Sequence, residues 1–267
     1  MKLIKWLIAP CLLPLVAAFL AEATLILSEE MSLAKVQWFL FGLGAYLIAM
    51  PLLSWNNWQF LHTFEHELGH MIVRAALFHR IIEFRVYPKG NENYVRTEEG
   101  LLRSQTITAL APYYLPVFAL PLLALRWSFP AAILPWVDLF IGLAMAFHYI
   151  GLLTEFHPGQ SDIQKNTFLY SLLVTFFLNM IMLVIVLAVV TEDINLLLDY
   201  LARAADRAQL YYGASYAFIY NWWMGFLFVR CWGRLCSASS STSTARQYSS
   251  SDRCSFGVWS SALSPGP

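Results

Sequence analysis

Runs of mostly apolar residues, each near the length of about 20 that carries a helix across a hydrocarbon core, recur along the chain. They constrain its fold more than any other feature. The runs are Trp6 to Leu27, Val36 to Trp55, Asn57 to His79, Ile107 to Trp127, Ala131 to Leu153, Phe168 to Val190 and, more weakly, Ala208 to Val229. Lipid offers the backbone no hydrogen-bond partner, so each run is expected to be helical. Hydrophobic residues make up 58% and charged residues 13% of the chain; a balance this apolar belongs to membrane proteins. The fold expected is an all-α polytopic membrane protein with about six to seven transmembrane helices. A formal net charge of +0, with no basic stripe among aromatics, gives no footing for a nucleic-acid partner.

Three regions follow from the composition. Residues 1–56 read as N-terminal membrane anchor helices, 57–230 as the membrane core, and 231–267, opening on "CSASSSTSTARQYSSS", as a Ser-rich tail too polar to bury a core. Lys2 and Lys5 ahead of an apolar stretch ending in "AFLAEA" resemble a signal peptide. The run is longer than the usual apolar segment of such peptides, and an uncleaved anchor is the expectation. Cys11, Cys231, Cys236 and Cys254 lack the spacing of a thiolate zinc site.

After the third run, Ile82, Phe84 and Val86 alternate with Glu83 and Arg85 ahead of a Pro/Gly/Asn turn. This predicts a short β-hairpin-like insertion. Trp and Tyr near the run ends suit an aromatic belt. The segment Asp193 to Gln209 reads as an amphipathic helix lying at the interface.

The third run carries His62, Glu65, His66, Glu67, His70 and Arg74. Ionisable groups in the hydrocarbon region each cost at least about 2.5–3.5 kcal/mol on insertion scales, so they normally line a polar site. His66, Glu67, Leu68, Gly69 and His70 spell HExxH. Residues four apart share a helix face, so His66 and His70 can both reach one metal ion, and Glu67 can work on water beside it. A catalytic zinc site usually has three protein ligands. Candidates for the third are Glu155, His157 and Asp162 in "TEFHPGQSDIQKN". His62, one turn before His66, and His148 and Gln160 are possible partners around the site, and Asn166 a possible contact to substrate.

HELGH in an apolar helix, the hairpin-like insertion, "LAPYYLP" opening the next run and the later "QSDI" together resemble the site-2 protease class of membrane zinc metalloproteases, peptidase family M50, in its compact M50B-like branch. The resemblance covers about residues 57 to 170 and rests chiefly on HExxH. It implies Zn²⁺ as cofactor, Glu67 as the catalytic acid and base, and an aspartate as third ligand, which falls on Asp162. Its substrates are membrane proteins or peptides, cut within or beside the bilayer. A prenyl-protease type of membrane zincin would instead use a glutamate, here Glu155, and a non-catalytic scaffold or metal-binding protein would need no Glu67.

Counting one crossing per run puts Arg80, Arg85, Lys89, Arg96, Arg103 and Lys165 on the side of the ligands, and Lys2, Lys5, Arg126, Arg203 and Arg207 opposite. By the positive-inside bias, an integral multi-pass protein with its active site toward the cytoplasm is expected.

Overall fold

The computed structural model describes residues 2–30, 32–52, 55–87, 94–97 and 105–240, with side chains through residue 224 apart from a few at segment ends. It is mostly helical. In chain order the elements are α1 (Lys2–Leu25), α2 (Leu33–Ala49), α3 (Trp55–Ala76), β1 (Ile81–Arg85), β2 (Tyr94–Thr97), α4 (Gln105–Tyr114), α5 (Ala119–Leu125), α6 (Leu134–Glu155), the single turn α7 (Ser161–Gln164), α8 (Phe168–Thr191) and α9 (Ile194–Ser240). Residues through Ser215 form one compact unit and those from Tyr216 a second.

Among the described residues, three helices are long and apolar enough to cross a membrane: α1 extended to Ser28, α6 and α8. A fourth crossing is available if α4 and α5 count as one broken span, bent by 83°. The single helix expected over Ile107 to Trp127 is thus two. Pro116 has no amide hydrogen to continue the ladder, and its ring disfavours helical geometry at Leu115, so the helix stops at Tyr114. At 17 residues α2 is shorter than a full crossing usually needs.

Neighbouring runs do not alternate up and down as counted from the sequence. Along α6, Leu139 meets Gly42 and Phe147 meets Tyr46, so α2 runs in the same direction. Trp58 packs on Phe147, His62 on Gly151 and His66 on Glu155, so α3 runs that way too. α1 instead descends beside α8: Lys5 meets Asn166 and Phe19 meets Phe177. Lys5 therefore lies at the ligand end, not opposite.

The α2–α6 crossing depends on two glycines. A Cβ at Gly42 would stand 1.9 Å from the Leu139 carbonyl oxygen, and one at Gly142 would stand 2.0 Å from that of Phe39. Both obstacles are backbone, which a rotamer change cannot clear. Gly142→Ala is expected to destabilise the fold by about 1–3 kcal/mol, read as a lower thermal midpoint of the detergent-solubilised chain. An unchanged midpoint would show that the helices do not meet this closely.

At the end away from the ligands, Arg126, 3% exposed, closes the broken span onto its neighbours. Its Nε and Nη2 donate to Asp138 at 2.7 and 3.1 Å, Nη1 to Glu192 at 3.0 Å, and Nη2 also to the Val190 carbonyl. Glu192 ends α8 in left-handed backbone conformation (φ 59°).

β1 and β2 pair antiparallel, Phe84 opposite Val95 and Arg85 opposite Tyr94, with an irregularity between Ile81 and Glu83. Their connecting turn lies outside the described residues. Arg74 donates to the Val95 carbonyl and ties the hairpin to α3. The amphipathic segment Asp193 to Gln209 and the seventh apolar run are one continuous helix, α9. Tyr200 and Ala204 are fully buried, and the Tyr200 hydroxyl donates to the Phe19 carbonyl at 3.1 Å, so one face of this stretch packs on α1 while Ile194, Leu198 and Leu201 stay exposed. In the second unit Tyr216 stacks on Tyr220. Helix α9 takes in residues 231–240 of the Ser-rich segment; 241–267 lie outside the described residues.

Candidate metal centre

His66 and His70 lie one turn apart on α3, facing the loop between α6 and α8 where α7 presents Asp162. His70 Nε2 stands 3.0 Å and His66 Nε2 3.4 Å from Asp162 Oδ2. The three ligand atoms lie within 4.8 Å of one another, and His70 and Asp162 are buried. Ligands about 2.0–2.1 Å from a tetrahedral ion are about 3.4 Å apart, so the spacing fits one metal ion.

Each of these three residues has a second polar atom held by a neighbour. His66 Nδ1 meets Glu155 Oε2 at 2.8 Å, and His70 Nδ1 donates to the Thr108 carbonyl at 2.8 Å. Asp162 Oδ1 accepts from Lys165 Nζ at 2.7 Å. Since a carbonyl only accepts, His70 carries its proton on Nδ1, and its neutral form turns the Nε2 lone pair toward a carboxylate oxygen. Two acceptors at 3.0 Å repel unless a cation lies between them or the ring is charged. The donor set thus fits a metal ion, with the outer contacts that usually orient histidine ligands.

Asp162, at the α7 turn between apolar helices, feels opposing influences. Burial pushes its carboxyl pKa up, but hydrogen bonds from His66 and His70, when those rings are protonated toward it, and the Lys165 contact outweigh this and hold it well below the usual carboxylate range. It remains a carboxylate, as a ligand must.

Close approach of α4 is permitted by the glycine of HELGH. A Cβ at Gly69 would lie 3.2 Å from the Pro112 Cα. This proximity brings the Thr108 carbonyl to His70. Glu67 follows His66, is half-buried, and interacts electrostatically with His70, His66 and Asp162.

The other sequence candidates fall outside the ligand group. Glu155 takes the outer nitrogen of His66 and not the face shared with His70. His157 is exposed and its Nδ1 accepts from the Gly159 amide at 3.2 Å, because the turn after α6 closes on itself. Gln160 caps α7, its carbonyl accepting from the Gln164 amide. His62 stacks flat on Phe147 at 4.0 Å, one turn before the ligands. His148 sits 3.6 Å from Glu65, and both are almost wholly buried. Among the described residues His62 Nδ1 and His148 Nε2 have no hydrogen-bond partner, and with Glu65 and Tyr113 these residues line a cavity of about 10 Å³ beside His66. That is about the room one water needs.

Sequence reasoning missed Lys165 and Thr108. Lys165, three residues after Asp162 on a helical turn, had a readable spacing; the Thr108 contact is made by backbone and left no signal in residue type. No protein-family model, curated protein or solved structure matches the chain.

Proposed function

We propose that this chain is a zinc-dependent membrane endopeptidase. The observation carrying this reading is the convergence of His66, His70 and Asp162, from distant parts of the chain, on one point, with Glu67, next to His66 in the chain, interacting electrostatically with all three. Two imidazoles and one carboxylate form a ligand set used in catalytic zinc sites. Zinc bound there would polarise the substrate carbonyl and lower the pKa of water. Glu67 takes the proton from the attacking water and delivers it to the amine nitrogen as the C–N bond breaks. His66, His70 and Asp162 stay fixed through these steps because Glu155, the Thr108 carbonyl and Lys165 hold their outer atoms.

The substrate is a membrane protein or membrane-proximal peptide, unwound at the cut, since a helix keeps its carbonyls in its own hydrogen bonds. β1 pairs only with β2 among the described residues, and an extended substrate chain would add to the sheet as a further strand. The protein crosses the bilayer several times with the site toward the cytoplasm. Supporting this orientation, Lys5 joins Lys165 at the ligand end while Arg126 lies at the other. Glu155 on the outer nitrogen of His66 favours the aspartate-ligand arrangement over the prenyl-protease type.

Purified protein in liposomes is expected to cleave members of a panel of helix-destabilised membrane peptides, to lose this activity on chelation and to regain it with zinc. Cleavage indifferent to chelation would exclude the metallopeptidase reading.

A further inference from the structure

The segment carrying Asp162 is held from a helix that supplies no ligand. Asn166, 2% exposed, lies one turn after Asp162, and its Nδ2 donates to the Asp162 carbonyl at 3.4 Å. Its Oδ1 accepts from Lys5 Nζ at 2.5 Å and from Thr106 Oγ1 at 3.1 Å. Lys5 is 9% exposed, with its ammonium also 5.8 Å from the Tyr170 ring centroid. One amide thus ties three elements together: α1 through Lys5, α4 through Thr106 and α7 through the ligand's own backbone. The same first turns of α4 supply the Thr108 carbonyl to His70.

This arrangement has a physical consequence. Asp162 sits on a single helical turn, too short to hold its own geometry, so its placement against His66 and His70 depends on outside contacts. An ammonium removed from water needs an acceptor of its own, and 161 residues separate Lys5 from the one it finds. A charge-assisted hydrogen bond is roughly twice as strong as a neutral one, so Lys5 is the stronger of the two side-chain donors on Asn166 Oδ1. The geometry points to Lys5 as a positioning residue of the metal centre: through Asn166, the N-terminal helix sets where Asp162 stands and thereby how tightly the site holds its ion. This rests on the metal-site reading above and adds to it a dependence on α1.

The test measures zinc affinity of the full-length purified chain by competition with a chromophoric chelator, together with the thermal midpoint of the zinc-free protein. Lys5→Met keeps the apolar stem and removes the donor, and it is expected to weaken zinc binding by about 10–100-fold, the range for lost outer-shell partners. Lys5→Arg, which restores a cationic donor, is expected to stay within about threefold of wild type. Glu22→Gln is the packing control: Glu22 is the other buried charge of α1, paired with Arg207 and about 25 Å along the helix from Lys5. It is expected to lower the zinc-free midpoint without changing zinc affinity. Should Lys5→Met not fold, Lys5→Gln, neutral and shorter, is measured with the same expectation. Wild-type affinity in the Lys5 variants overturns this inference and leaves the metal site standing. Equal weakening by Glu22→Gln also overturns it, by showing that general packing of α1 is what matters. A wild-type chain that binds no zinc overturns both readings.

Discussion

Glu67→Gln protein is expected to bind zinc as wild type does and, on the proposed peptidase activity, to cleave peptide substrates about 10²–10⁴-fold more slowly, the usual loss when a positioned acid and base is removed. Glutamine has the shape of glutamate but cannot accept the proton of the attacking water. His66, His70 and Asp162, with the contacts behind them, are untouched by the exchange. The expected pair of results, retained metal and lost turnover, separates an enzyme from a protein that merely binds the ion. Cleavage assays in liposomes and metal analysis of the same preparations check it. If Glu67→Gln turned over substrate at the wild-type rate, the peptidase proposal would give way to a scaffold or metal-binding role.

Asp162→Ala is expected to have the second large effect, and it falls on metal affinity. The change deletes the one carboxylate oxygen that, among the described residues, lies on the shared face of the two imidazoles, at 3.0 and 3.4 Å from their Nε2 atoms, and removes the Lys165 partner. Two histidines alone make a poor site for a divalent ion, so the loss should exceed the about 10–100-fold typical of outer partners. Glu155→Ala should stay within that smaller range, since Glu155 meets His66 on its outer nitrogen. The order of the two variants is the informative result. If Glu155→Ala stripped the metal and Asp162→Ala kept it, Glu155 would be the ligand and the prenyl-protease type would be the better reading.

The parts of this molecule legible in the sequence are those written in local periodicity. HExxH on an apolar helix marks His66 and His70 because a four-residue spacing is itself a contact. The alternation around Phe84 marks the strand that pairs with Val95. Asp162 was within reach only through a family resemblance, since spacing alone left Glu155 and His157 equally open. The direction of the helices was not legible. Counting apolar runs treats each as a crossing, whereas α2 and α3 both run alongside α6, which reverses α1 and brings Lys5 to the ligand end. Pro116 is the visible signal of the break between α4 and α5, set within a run that is mostly apolar. Asn166 was singled out only as a contact to substrate, because its partners Lys5 and Thr106 lie 161 and 60 residues away.

Zinc K-edge X-ray absorption on the purified wild-type chain tests the central claim most directly. The account predicts one ion with two imidazole nitrogens and a carboxylate oxygen at about 2.0–2.2 Å, and loss of the oxygen ligand in Asp162→Ala protein at saturating zinc. A spectrum with sulfur scattering, or with fewer than two imidazoles around the ion, would contradict it.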